Sequence, residues 1–122
     1  MIKLNPLSSR LTKGKTCEEH ALNYLKKNGL KLIEKNFNSR YGEIDLIMQQ
    51  ENAVVFIEVR YRKNDAFGGA KASVTPAKQK KIQKTALYYM QKQGRELNSR
   101  FDVIAMSGEN KNLNIEWIKN AF

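Results

Sequence analysis

Three acids and a guanidinium stand inside the best strand-forming stretch of the chain. Between Gly42 and Arg62 the sequence reads GEIDLIMQQENAVVFIEVRYR, and Glu43, Asp45, Glu58 and Arg60 interrupt two runs rich in Ile, Val and Phe. Such runs on either side of the short polar break QQEN predict strands over 43–49 and 54–62, paired antiparallel. Centring the turn between Glu51 and Asn52 sets Asp45 opposite Glu58, Ile47 opposite Phe56 and Glu43 opposite Arg60, all six on one face. The other face takes Ile44, Leu46, Met48, Val55, Ile57 and Val59 and is wholly apolar. A slip of one residue would mix the two sets, so the pattern selects this register.

Directly opposed side chains on a sheet lie about 4.5–5.5 Å apart at Cβ, where like charges are destabilising. An Asp45–Glu58 pair must therefore be neutralised by a shared proton, an arginine or a divalent cation. Two carboxylates converging from rigid strands suit Mg²⁺ or Mn²⁺, which take oxygen ligands and keep several waters for a substrate phosphate. The ordinary alternative is a solvated strand face on which a Glu43–Arg60 pair and nearby Arg62 balance the acids. For an arbitrary hairpin that alternative is the commoner one; acids set between Ile, Leu, Phe and Val in a basic chain weaken it here.

The elements that must position these groups follow from the flanking sequence. TKGKTCEEHALNYLKKNG is a helix: Ala21, Leu22 and Leu25 recur at helical spacing, lysines fill the last turn and Gly29 suits the left-handed position after it. LKLIEKNF is the first strand, followed by the hairpin. The segment 63–73, KNDAFGGAKAS, has no periodicity and is expected to be a long loop. Thr75 and Pro76 supply a helix cap and a first-turn proline, opening a helix to about Gln93 with Gly94 as its stop. RFDVIAM (100–106) and LNIEWI (113–118) complete the strands. The expected order is α-β-β-β-α-β-β in one domain over 1–122, a central sheet with helices on its faces.

On these elements two more polar residues fall where apolar ones belong. Glu18 precedes Ala21, Leu22 and Leu25 by three, four and seven positions, on the buried stripe of the first helix. Gln79 stands likewise before Ile82 and Ala86. Each is either a residue at the edge of the core or a group reaching toward the acidic face. Lys80, Lys81 and Lys84 project elsewhere on the second long helix and, with Arg62 at the end of the hairpin, are expected to meet nucleic-acid phosphates or simply to be solvated.

The 122 residues carry 22 Lys and Arg against 12 Asp and Glu, a net charge of +10. That excess attracts polyanions, of which nucleic acid is the commonest in the cytoplasm. No apolar run approaches the roughly 20 residues that span a bilayer, and no basic helix with bulky apolar residues suggests a membrane surface. The N-terminal MIKLNPLSSRLTKGK lacks the apolar core of a signal peptide, and a single cysteine, Cys17, excludes an intramolecular disulfide, so a cytoplasmic location is expected. His20 is the only histidine and lies off the apolar stripe, which argues against histidine catalysis, and Cys17 has no cluster around it to make a zinc site.

With these residues laid out, the chain resembles a known family. GEIDLI, followed by EVR thirteen residues after Asp45, resembles the D…(D/E)-x-K signature of restriction-endonuclease-like nucleases. More closely, Gly14 with Glu18 and ALNYL, then GEIDLIM, VVFIEVRYR, FGGAKASVTPAKQKK, RFDVIA and EWIKNAF are similar to the YraN-like family of bacterial proteins, related in turn to archaeal Holliday-junction resolvases. The resemblance implies a restriction-endonuclease-like fold and metal-dependent phosphodiester cleavage, with DNA ahead of RNA as substrate and, by analogy with the resolvases, a homodimer. It implies Asp45 and Glu58 as the metal-binding acids with the Val59 carbonyl as a further ligand, and matches Glu18 and Gln79 to polar helix residues of the site. Arg60 stands where the signature has lysine; arginine stays protonated and is a poor general base, so its expected catalytic part is to hold the attacking water or to stabilise the charge that develops on the phosphate. The other class of function open to the chain is a nucleic-acid-binding or scaffold protein with the same fold and no useful cleavage.

Binding to nucleic acid is expected to be largely electrostatic. Log affinity should fall linearly with log salt as condensed counterions are released. Reversing charge at Lys80, Lys81 and Lys84 together should flatten that slope in a fluorescence-anisotropy titration, and an unchanged slope would move the binding surface off the second long helix.

Overall fold

The computed structural model describes residues 6–64, 68–94, 98–108 and 113–122, with side chains described from Cys17 onward. The first helix, α1 (Pro6–Lys27), begins earlier than the periodic stretch alone suggests, with proline at its first position, where the missing N–H costs nothing. It ends as expected. Gly29 takes φ 94°, and the Leu30 N–H closes back on the Leu25 carbonyl at 3.1 Å, satisfying a carbonyl that the helix leaves open.

Five strands follow in one sheet of order β1-β2-β3-β4-β5: β1 (Lys31–Ser39), β2 (Gly42–Gln50), β3 (Ala53–Arg62), β4 (Ser99–Ser107) and β5 (Asn114–Ile118). β1, β2 and β3 are antiparallel, β3 and β4 parallel, and β4 and β5 antiparallel. The parallel step is made by the crossover through α2 (Gly69–Ala72) and α3 (Pro76–Gln93). Thr75 Oγ1 accepts the Lys78 N–H at 3.3 Å, Pro76 fills the first turn and Gly94 closes α3 at φ 72°. The single turn of α2 corrects the expectation of an uninterrupted loop over 63–73. Gly68 and Gly69 take φ 87° and 67°, which turns the chain so that Ala70 enters the core; residues 65–67 of that expectation lie outside the described residues.

Alternate residues of the central strands feed two cores on opposite faces of the sheet. Leu46, Met48, Val55, Ile57, Ile104 and Met106 pack with Cys17, Ala21, Leu22 and Leu25 of α1. Ile47, Phe56 and Val103 pack with Ile82, Ala86 and Tyr89 of α3. The result is a mixed α/β fold with helices on both faces. Among the described residues no helix is long and apolar enough to cross a membrane.

The hairpin register is the expected one: Leu46 pairs with Ile57, Ile47 with Phe56, and Gln50 with Ala53 across a two-residue turn. Beyond Leu46 and Ile57 that ladder stops. β2 continues toward Gly42 paired with β1 alone, through Phe37–Ile44, Asn38–Glu43 and Ser39–Gly42. β3 continues toward Arg62 paired with β4 alone. The sheet forks, and Asp45 on one prong and Glu58 on the other begin the fork. The change of course corrects one expectation. Ile44 does not share a face with Leu46 and Met48; it joins Phe37, Ile47 and Phe56 in the α3 core. At the matching point of β1, Asn36 takes φ 52°, a left-handed backbone that asparagine tolerates better than most residues.

A second buried acid holds the other side of the sheet. Asp102 is wholly inaccessible, yet its carboxylate accepts two bonds from Arg100, at 2.9 and 2.8 Å, one from Trp117 Nε1 at 2.8 Å and one from the Asn120 N–H at 3.0 Å. A fully satisfied charge of this kind ties β4, β5 and the C-terminal turn together. Asp102→Ala leaves the Arg100 guanidinium only its bond to Gln50 Oε1 at 2.9 Å and strands two N–H donors, and should cost roughly 3–5 kcal/mol in urea unfolding; a loss under about 1 kcal/mol would show that the lock is dispensable.

Candidate functional site

The fork opens a cleft of about 820 Å³ between the sheet and both long helices. Four carboxylates surround or line it: Glu18 from α1, Glu43 and Asp45 from β2, and Glu58 from β3. Arg60 from β3 and Lys78 and Lys81 from α3 supply the cations of its wall. In regular strands a backbone N–H of β3 would find its partner in β2. At the fork the Val59 N–H instead donates to Asp45 Oδ2 at 2.8 Å, so a side chain replaces a rung of the ladder. That bond fixes the Asp45 carboxylate against Glu58.

Of the three ways to neutralise this pair, two are built in. Burial first, then the hydrogen bond to Glu58 and its charge, push the Asp45 carboxyl up to about 8, against the opposing effects of the Val59 N–H and Arg60. Asp45 therefore keeps its proton at neutral pH and shares it with Glu58. Arg60 Nη2 meets Glu58 Oε2 at 2.7 Å on the same strand. The expected Glu43–Arg60 pairing across the hairpin is thus corrected: past the end of the ladder these residues no longer oppose each other, and Arg60 turns to the acid two residues away. Arg60 Nε is buried without a hydrogen-bond partner, so the guanidinium has donor capacity left inside the cleft wall.

The outer acids are linked through a residue that the hydrophobic pattern does not single out. With its amide nitrogen turned toward the acids, Asn36 donates to Glu43 Oε1 at 3.1 Å and to Glu18 Oε1 at 3.3 Å. Glu18 is held above the usual carboxylate range by burial, then by Asp45 and Glu43; Asn36 and Lys35 act against that rise. Glu43 is raised by burial and by Asp45. The signal for Asn36 was present in a strand that carries an asparagine between lysine and phenylalanine, a residue type suited to φ above zero.

Not every residue singled out in the sequence reaches the cleft. Glu18, Asp45, Glu58, Val59, Arg60 and Lys81 line it. Gln79 does not; its amide donates to the Val74 carbonyl at 3.1 Å and ties α3 to the segment before it. Lys80 and Lys84 are exposed on α3 outside the lining, and the exposed Arg62 donates to the Tyr61 carbonyl at 2.8 Å. Gly42 brings β2 close under α3, where a Cβ would lie 3.3 Å from Thr85 Oγ1. Among the described residues no group of three or more acidic, histidine or cysteine side chains is arranged to hold a metal ion. Two carboxylates are nevertheless a common protein share of a Mg²⁺ site, water supplying the rest.

A family model described as "Uncharacterised protein family UPF0102" matches residues 17–106, the span from Cys17 on α1 through β4. The chain belongs to this family. The UPF0102 protein of Nitrosomonas eutropha is 49% identical over 116 residues, covering 95% of this chain and 97% of that protein. The UPF0102 protein of Legionella pneumophila is 51% identical over 112 residues, covering 90% of this chain and 93% of its own length. The UPF0102 protein of Colwellia psychrerythraea is 44% identical over 118 residues. The expected YraN-like kinship is this family.

The shared proton makes stability depend on pH without added metal. An unfolded Asp45 ionises near 3.8 and the folded one only at about 8. Between those values the folded state binds the extra proton, so stability falls as pH rises, by up to about 1.4 kcal/mol per pH unit for this one group. Above the folded value the penalty is complete. Asp45→Asn should flatten most of the decline in urea titrations from pH 5 to 8, because its amide can donate to Glu58 while its oxygen accepts from Val59. A wild-type profile as flat as the mutant's would rule out the shared proton.

Proposed function

We propose that the chain is a divalent-metal-dependent nuclease of the restriction-endonuclease-like fold, acting on the phosphodiester backbone of DNA. The observation that carries the reading is the Asp45–Glu58 pair: two carboxylates from two diverging strands, set in a cleft of a chain whose net charge is +10. The arrangement supports the fold assignment too, with a helix, an antiparallel β1–β2–β3 unit and a helical crossover to a parallel β4.

Asp45 and Glu58 would hold Mg²⁺ or Mn²⁺, with the Val59 carbonyl as a further ligand. The ion would supply Lewis-acid polarisation of the phosphate and a more acidic water. The chain's own residues do the remaining work. Asp45 gives up its shared proton, and the Val59 N–H keeps the carboxylate oriented. Arg60 has to release Glu58, and its planar guanidinium then suits a phosphate oxygen. Being always protonated, it serves as a fixed cation and not as a base. Lys78 and Lys81 face the same cleft from α3 and suit the flanking phosphates.

One observation favours a second reading, a nucleic-acid-binding protein with this fold and no cleavage. The Arg60–Glu58 contact at 2.7 Å, added to the shared proton, already neutralises the acidic pair.

A panel of single-stranded, duplex, flapped and four-way DNA and RNA, incubated with Mg²⁺ or Mn²⁺, separates the two. The nuclease reading expects cleavage that Asp45→Ala and Glu58→Ala each abolish, a fall of at least about a hundredfold. Arg60→Lys should keep part of the single-turnover rate and Arg60→Ala lose most of it. Undetectable cleavage in every arm by a wild type that binds the substrates leaves the binding reading standing and ends the enzyme.

A further inference from the structure

Beside the cleft the surface carries an aromatic cluster that the catalytic reading does not use. Along α3 the residues at positions 81, 85, 88 and 92 follow one helical stripe. Lys81 lines the cleft, Thr85 is buried beneath Gly42, and Tyr88 emerges beyond it, 37% exposed. From the β1–β2 turn Tyr41 reaches the same place, its ring 6.1 Å from that of Tyr88 and nearly edge-on. Tyr41 directly precedes Gly42, which lines the cleft, and Tyr88 lies about 10 Å along α3 from Lys81.

Two cations sit on these rings. The Arg40 guanidinium lies 5.0 Å over Tyr41 and donates to its hydroxyl at 2.8 Å. Lys92 Nζ lies 5.7 Å from the ring of Tyr88 and 5.9 Å from that of Phe37 beneath it. Burying an aromatic core needs no such cations, and a phosphate site needs no exposed rings. Rings with cations beside them match the chemistry of a nucleotide, a planar base with its phosphate alongside. Pairs inside a duplex are covered on both faces, so apart from a duplex end such a step serves nucleotides outside a duplex.

We propose that Tyr41 and Tyr88, with Arg40 and Lys92, form a stacking step for an unpaired nucleotide next to the cleft, so that the preferred substrate is nucleic acid with a single-stranded segment. The proposal rests on the nucleic-acid reading above and deepens it by naming the substrate class.

Anisotropy titrations of a fluorescein-labelled oligothymidylate and a blunt duplex of equal length, with chelator present, test it. Wild type should bind the single strand more tightly. Tyr88→Ala should weaken the single strand about tenfold and the duplex less than about twofold. Tyr88→Phe keeps the ring and should retain the affinity, and Lys92→Ala should lower the salt slope by about one. Tyr88→Ala truncates a partly exposed ring, and its thermal melt, read beside that of Tyr88→Phe, checks the fold. Equal losses on both probes, or no loss on the single strand, overturn the stacking step while leaving the nucleic-acid reading intact. A wild type that binds neither probe overturns both together.

Discussion

The structure turns on the place where β2 leaves β3. A backbone N–H in a sheet interior must find an acceptor, and at Val59 the strand that would supply one has moved away. Asp45 fills the gap with its side chain, which draws a carboxylate into a partly buried position against a second carboxylate. Two anions cannot remain there bare. One keeps a proton and the other takes Arg60, and each solution fixes the neighbouring backbone further. The fork, the acids and the cleft are thus one feature.

Much of this was legible in the order of residues. The apolar face of the hairpin allowed only one register, and the structure has it. The threonine–proline start and glycine stop of α3, and the glycine after α1, act through local backbone chemistry that sequence states directly. What escaped was the departure from regular pairing. A period of two assumes a straight ladder, so it put Ile44 with Leu46 and Arg60 opposite Glu43. At the fork both assignments fail, because β2 follows β1 while β3 follows β4. Asn36 marks the bend from the other strand, but one asparagine in an edge strand is a weak cue. Gln79 illustrates a different limit: helical spacing places a side chain on a face, yet the amide found a nearer carbonyl at Val74.

Charge is distributed in a way the net value hides. The chain carries +10, yet the acids of the cleft are gathered at one point, with Lys78, Lys81 and Arg60 along the wall. At distances beyond the Debye length of roughly 8–10 Å a polyanion meets the screened remainder of the whole, which is positive. Close in, it meets a local arrangement in which a single proton changes the balance. The net charge of the chain and the local charge of the cleft are set by different residues.

The Asp102 lock also gives the molecule an optical property. Trp117 is the only tryptophan of the chain, and its indole N–H is held by Asp102, its ring lies edge-on to Tyr24 at 6.3 Å, and Lys119 Nζ sits 4.3 Å above it. The ring packs against the α1 core and is not part of the cleft lining. Its emission therefore reports whether β5 is docked on the sheet. Light from this one side chain follows the integrity of the sheet.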